Sequence, residues 1–190
     1  MDEGSDFSEV LRAAQGGNQE AIGVLYLRLS GRVLGYLRAH VGQDAEDVAS
    51  EVWLSVARSL PRFAGGESDF RCWVFTIARR RVVDWLRAAP WYQVTALSDR
   101  SDDMVDPVTD TAGEVVERFA AQDTLARLAD YLPEEQARVL ILRVVAGLST
   151  EEVARVVEKK EGAVRMLLHR AIKNLAPLAE ELFEISSEDT

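Results

Sequence analysis

Apolar residues recur at intervals of three or four along most of the chain, and no stretch alternates convincingly between apolar and polar. That period lines one face of an α-helix and argues against strands. A short helix is predicted over residues 7–15, ended by Gly16 and Gly17. Asn18 is placed to cap a second helix, in which Ile22, Leu25, Leu29, Val33 and Leu37 make one buried stripe up to Gly42. A third helix runs from Asp44 to Leu60 with Val48, Val52 and Val56 inside. Pro61 ends it, because the residue before a proline avoids the helical region. "PRFAGGESD" reads as a loop, and a fourth helix follows from Phe70 to Ala88. Trp73, Ile77 and Trp85 recur in it at roughly helical spacing, which favours core packing for the two tryptophans.

The character changes after Pro90. "SDRSDDMVDPVTDTAGE" is polar and acidic and reads as a linker. Helicity resumes near Glu114, with Leu125, Leu128 and Leu132 as an apolar stripe. Pro133 suits the first turn of the next helix, where its missing N–H costs little. Ala137, Leu140, Ile141 and Val144 are expected to face inward, and Gly147 to end that helix. The last fifteen residues, "APLAEELFEISSEDT", are acidic and expected to fray.

Between these lies a pair of short helices. Ser149 followed by Glu152 has capping-box spacing, in which hydroxyl and carboxylate each satisfy the other's backbone N–H. Val153, Ala154 and Val157 supply the inner face of a two-turn helix. "EKKE" is a charged turn. Gly162 opens the next helix, with Val164, Leu168, Ala171, Ile172 and Leu175 buried. The small Ala154 lets the two helices approach. This is the pattern of a helix-turn-helix, whose second helix enters the DNA major groove. Arg165, Met166 and His169 project from its first two turns. Arginine bonds guanine bidentately, methionine touches a thymine methyl, and histidine bonds base or phosphate. Lys159, Lys160, Arg170 and Lys173 are placed to reach phosphates. A plain helical hairpin with a solvated basic face is the alternative. The turn position that commonly holds glycine is Glu158, so a left-handed residue there carries strain of about 1 kcal/mol.

Composition narrows the classes. The chain has 190 residues, 47% hydrophobic and 28% charged, the profile of a globular protein. No apolar run reaches the roughly eighteen residues of a membrane span, and "MDEGSDFSEV" lacks the features of a signal peptide. No membrane insertion and a cytoplasmic location are expected. A single cysteine, Cys72, allows no intrachain disulfide and reads as a buried, inert thiol. The net charge of −10 argues against wholesale binding of nucleic acid, but its distribution is uneven. Residues 71–87 carry five arginines against one aspartate, a net of +4. Residues 155–173 carry six lysines or arginines against two glutamates, again +4. Residues 98–117 carry one arginine against seven acids, a net of −6. Two basic islands flank an acidic bridge.

"DAEDVASEVWLSVARSL" followed by "FRCWVFTIARRRVVDWLR" closely resembles the second conserved region of bacterial sigma factors. "LPEEQARVLILRVVAGLSTEEVARVV" with "GAVRMLLHRAIKNL" resembles their fourth region. Order, spacing and the absence of a third domain between them are similar to the extracytoplasmic-function, or group IV, sigma factors. The resemblance covers roughly residues 7–88 and 120–176. It implies an all-α protein of two small helical domains joined by a flexible acidic linker, the C-terminal one a helix-turn-helix. The divisions are a region 2 domain over 1–90, the linker over 91–119, a region 4 domain over 120–176 and an acidic tail over 177–190. The implied function is to bind core RNA polymerase, recognise the −35 and −10 promoter elements and help open the promoter. Such a protein has no catalytic residue, metal or cofactor of its own. Its implied partners are the polymerase clamp helices and flap, promoter DNA, and an anti-sigma factor that holds it inactive.

The resemblance also assigns residues. Asp44, Asp47 and Glu51, with Ser50 where the family commonly has glutamine, correspond to the face that meets the clamp helices. An ordinary solvated acidic face at a helix N-terminus is the alternative. The loop from Pro61 to Asp69 resembles the specificity loop that captures a base flipped from the −10 element, with Phe63 or Phe70 placed to stack, a core position for Phe70 being the equal alternative. Arg79, Arg80, Arg81 and Arg87 follow toward phosphate or bases. Here "IARR" replaces the family's "IARN", so Arg80 stands for asparagine. The two prefer different base edges, and the family's −10 preference does not transfer. Lys159, Lys160, Arg165, Met166, His169, Arg170 and Lys173 correspond to the −35 reader. Leu167, polar or basic in many relatives, is placed to pack on the domain or touch the flap. The acidic linker corresponds to the segment that enters the basic channel of the polymerase; a solvated tether that prevents aggregation is the equal alternative.

Two other readings compete. A stand-alone helix-turn-helix repressor or activator leaves the first two blocks unexplained. A helical adaptor for protein partners leaves the basic islands unexplained. An enzyme has little support, since the chain has no Gly-rich phosphate loop, no metal-spaced Cys/His set and only two histidines, His40 and His169.

Overall fold

A computed structural model describes residues 3–88 and 131–188. Among them there are helices and turns and no strand. The chain divides into two compact units, Met1–Arg100 and Ser101–Thr190.

In the first unit, α1 (Glu3–Gln15) starts earlier than the periodicity suggests. A turn of Gly16, Gly17 and Asn18 leads to α2 (Gln19–Val41), whose first turn Asn18 caps by accepting the N–H of Ala21. Gly17 has φ 88°, a conformation open to glycine. Two residues near this turn, Ala14 and Ala21, are buried, while Ile22 is 39% exposed. Only the first position of the expected stripe moves, from Ile22 to Ala21. Ala21 and Ile22 lie four and three residues before Leu25, so period alone does not separate them. The short turn forces α1 and α2 close together there, and the small side chain takes the inner place.

A single 3-10 turn, Gly42–Asp44, joins α2 to α3 (Ala45–Ser59). A second, Leu60–Arg62, contains Pro61 and begins the loop to α4 (Glu67–Ala88). This helix starts three residues before the expected Phe70. Its first turn is capped from inside, as the Asp69 carboxylate accepts the N–H of Gly66 at 2.9 Å. The helix α2 packs on α1, α3 and α4. Val33, Tyr36, Leu37, Val52, Val74, Phe75 and Ala78 are at most 1% exposed and form the centre of this bundle. Cys72 is buried, as expected. The rings of Phe7, Phe63, Phe70 and Trp73 make a contiguous cluster at one end, with centroids 4.8–5.8 Å apart. Trp85 is half-buried.

The second unit contains α5 (Glu134–Val144), α6 (Thr150–Val157) and α7 (Glu161–Glu188), each packed on the other two. Pro133 sits one residue before its expected place, as the N-cap of α5. Ala137 and Val144 are only half-buried, whereas Val139, Leu140, Ile141 and Leu142 are all buried. A helix covered by two others buries more than one stripe, which a single-face reading misses. Ile172 is likewise half-buried. Leu125 and Leu128 lie outside the described residues.

Beyond Leu175, where the tail is expected to fray, α7 continues through Pro177 to Glu188. Pro177 removes one backbone hydrogen bond but has a helical φ of its own. Around it, Ala, Leu and Glu are strong helix formers that sustain the helix.

Candidate nucleic-acid and polymerase interfaces

The helix-turn-helix follows from local chemistry. Ser149 Oγ accepts the N–H of Glu152 at 3.1 Å, and Glu152 Oε2 accepts the N–H of Ser149 at 2.8 Å. Glu152 is 4% exposed while Ser149 is exposed, so this capping box sits at the edge of the core. The helix α6 ends at Glu158, which has φ 58° and ψ 39° and is the one non-glycine residue in the left-handed region among the described residues. Its N–H and that of Lys159 both bond the Ala154 carbonyl. The turn thus keeps its hydrogen bonds while placing a residue with a Cβ in a glycine-like conformation. Val164, Leu168, Ala171 and Leu175 hold α7 against α5 and α6.

The opposite side of α7 carries Arg165, His169, Arg170 and Lys173 exposed, with Met166 and Leu167 half-buried. Two of the cations are engaged within the unit. Arg165 Nη2 lies 2.6 Å from Glu161 Oε1, and Lys159 Nζ lies 2.8 Å from Glu135 Oε1. Lys160 is exposed.

In the first unit, Asp44, Asp47 and Glu51 are exposed along α3 and the turn before it. Ser50 Oγ donates to the Glu46 carbonyl at 3.0 Å, so its hydroxyl is turned back on its own helix. Glu46 faces Arg38 at 3.4 Å. Leu54, absent from the sequence-based set, is 56% exposed and lies one turn beyond Ser50 and Glu51. Its signal was available: an apolar residue breaks the polar side of an otherwise amphipathic helix. Beside this helix, Tyr26 of α2 meets Trp53 edge-on at 4.8 Å.

The loop after α3 is held firmly. Gln15, from the end of α1, donates through Nε2 to the carbonyls of Leu60 at 3.0 Å and Phe63 at 2.7 Å. Phe63 is half-buried against Trp73 and Phe70, so its ring anchors the loop to α4. Gly65 has φ 151°, and a Cβ there would lie 2.7 Å from the Asp69 Cβ. No sequence signal pointed to Gln15, because the residues it joins are more than forty positions apart.

The four arginines of α4 separate. Arg80 and Arg87 are exposed. Arg79 is half-buried, and its Nε has no hydrogen-bond partner among the described residues. Arg81 turns to α3, where Nη2 donates to Ser55 Oγ at 2.8 Å and Nη1 lies 3.7 Å from Glu51 Oε2. A residue expected with the DNA contacts thus sits beside one expected with the polymerase contacts. Among the described residues no group of His, Cys, Asp or Glu is placed to hold a metal, and no helix is long and apolar enough to cross a membrane.

An all-helical unit with an acidic helix face, and another built on a basic helix-turn-helix, define a class of transcription protein. The Sigma-70 region 2 family matches residues 25–92, and the family described as Sigma-70, region 4 matches residues 122–175. The chain is 34% identical over 174 residues to ECF RNA polymerase sigma factor BldN of Streptomyces coelicolor, covering 90% of this chain and 64% of that one. It is 32% identical over 189 residues to ECF RNA polymerase sigma factor ShbA of Streptomyces griseus, covering 95% and 98%. It is 33% identical over 186 residues to ECF RNA polymerase sigma factor SigD of Mycobacterium tuberculosis, covering 91% and 84%. A solved structure of CnrH in complex with the cytosolic domain of CnrY has the same fold, with a TM-score of 0.65 at 20% identity over 92% of this chain and 97% of that one. The chain belongs to the ECF sigma factors, a family of non-catalytic transcription regulators.

Proposed function

We propose that the chain is an alternative sigma factor that brings core RNA polymerase to promoters and helps open them, with its own residues divided among three tasks. The exposed acids Asp44, Asp47 and Glu51, together with Leu54, dock on the polymerase clamp. Carboxylates there meet basic side chains, and the apolar Leu54 one turn beyond them adds an exposed surface to bury. Ser50 contributes little, its hydroxyl being turned inward. The loop from Pro61 to Asp69 receives a base flipped out of the −10 element. Arg80 and Arg87 follow the strand by charge. Phe63 acts from below as the anchor of this loop. In the second unit, Arg165, Met166 and His169 read the −35 element, and Lys159, Lys160, Arg170 and Lys173 set register on phosphates.

The supporting observation is that one chain carries both matched regions in order, each with its expected basic island. The segment 91–119, acidic in sequence, occupies the basic channel of the polymerase and later gives way to RNA. The chain works in the cytoplasm and has no active site, since RNA synthesis belongs to the polymerase. CnrH was solved in complex with the cytosolic domain of CnrY, and we assign a protein partner, an anti-sigma factor, to this chain.

Footprinting with the chain alone, core polymerase alone, and both together tests the assignment. Protection of −35 and −10 segments only with both supports it. Protection of one site by the chain alone, unaffected by polymerase, favours a stand-alone regulator.

A further inference from the structure

We infer that Arg81 is a positioning residue of the polymerase-facing surface, holding Glu51 in place from the neighbouring helix, and is not a promoter contact. The inference rests on the reading of Glu51 as a clamp-binding residue. Four observations carry it. The guanidinium donates to Ser55 Oγ at 2.8 Å. That hydroxyl donates in turn to the backbone carbonyl of Glu51 at 2.8 Å. The second guanidinium arm lies 3.7 Å from Glu51 Oε2, closing a ring over one turn of α3. The Arg81 side chain is 36% exposed, whereas the Glu51 side chain is 65% exposed, so the arginine lies behind and the carboxylate in front.

An isolated exposed ion pair at this distance contributes little, because water screens it and two long chains must be ordered. The hydrogen bond to Ser55 changes that balance. It ties the planar guanidinium to the helix, so that its other arm meets the carboxylate from a fixed point. Glu51 then loses less side-chain freedom on docking, a cost that a free glutamate would bear in full. The arrangement also accounts for the division of the arginines. Adjacent residues on a helix point about 100° apart, so Arg80 faces solvent while Arg81 reaches back to α3.

The test is a double-mutant cycle on the affinity of the full chain for purified core polymerase, using Glu51→Gln, Arg81→Ala and the pair. A parallel reading is taken on binding of −10 fork DNA by the assembled holoenzyme. Arg81→Ala is expected to weaken polymerase binding roughly two- to tenfold, with no further loss once Glu51 is already Gln. DNA binding by the assembled complex should be unchanged. Ser55→Ala, a small change at a half-buried position, should reproduce a part of the loss if Arg81→Ala does not fold. Additive losses, or a loss confined to −10 DNA, would overturn the inference. If Glu51→Gln itself leaves polymerase affinity unchanged, the clamp reading of this face fails and the inference falls with it. If only the Arg81 and Ser55 variants are silent, the clamp reading stands alone.

Discussion

Single residues here act mostly through backbone they hold. Glu158 occupies a left-handed conformation that glycine adopts freely. Glu158→Gly should therefore stabilise the second unit by about 0.5–1 kcal/mol, seen as a later unfolding transition in urea. An earlier transition would mean that the glutamate side chain contributes more than the strain costs. Ser149→Ala should move the same transition the other way, by about 1 kcal/mol, since it opens the capping box and leaves the N–H of Glu152 without its acceptor. Gln15 is the corresponding residue in the first unit. Gln15→Ala frees the carbonyls of Leu60 and Phe63. Binding of −10 fork DNA by the holoenzyme should fall several-fold, with affinity for core polymerase retained. A loss of polymerase affinity alone would contradict the role given to the loop. The sequence made the capping box and the Glu158 strain legible because both are local, set by spacing within four residues. Gln15 and the Arg81–Ser55 contact join helices far apart in sequence, and no periodicity encodes them.

At the scale of elements, α2 shows both what a pattern can reveal and what it cannot. Its stripe of Leu25, Leu29, Val33 and Leu37 is buried as read from the period. The other side is less ordinary. Gly23 and Gly31 lie in the helix interior with open space where a Cβ would be, and Leu27 between them is 74% exposed. Glycine in a helix interior costs about 0.5–1 kcal/mol relative to alanine. Gly31→Ala should stabilise the first unit by about that amount, measured by thermal unfolding; no gain would mean that the site resists a methyl group. The helices α5 and α7 mark the limits of the single-stripe reading. The first is covered by two neighbours, and buries four successive residues from Val139 to Leu142. The second passes through Pro177, because helix-forming neighbours outweigh one lost hydrogen bond. Boundaries marked by Gly16, Gly17, Asn18 and Gly42 matched closely, since turns and caps depend on a few adjacent residues.

For the whole molecule, charge distribution matters more than charge. The net of −10 repels DNA at long range, while two islands of +4 remain available at close range. Two of the cations proposed to meet the −35 element, Arg165 and Lys159, are already paired with Glu161 and Glu135. Both features favour weak binding of random DNA by the free chain, so that promoter recognition depends on polymerase. Function was legible at this scale because two matched blocks stand in order on one chain. The detailed base preference was not, because Arg80 replaces the residue from which it would be carried over. The most direct measurement is run-off transcription from a library of promoter fragments, using purified bacterial core polymerase with and without the chain. The account predicts initiation at a subset of fragments only when the chain is added, and that subset would give the −35 and −10 sequences together. No initiation on any fragment, with tight sequence-specific DNA binding by the chain alone, would contradict it.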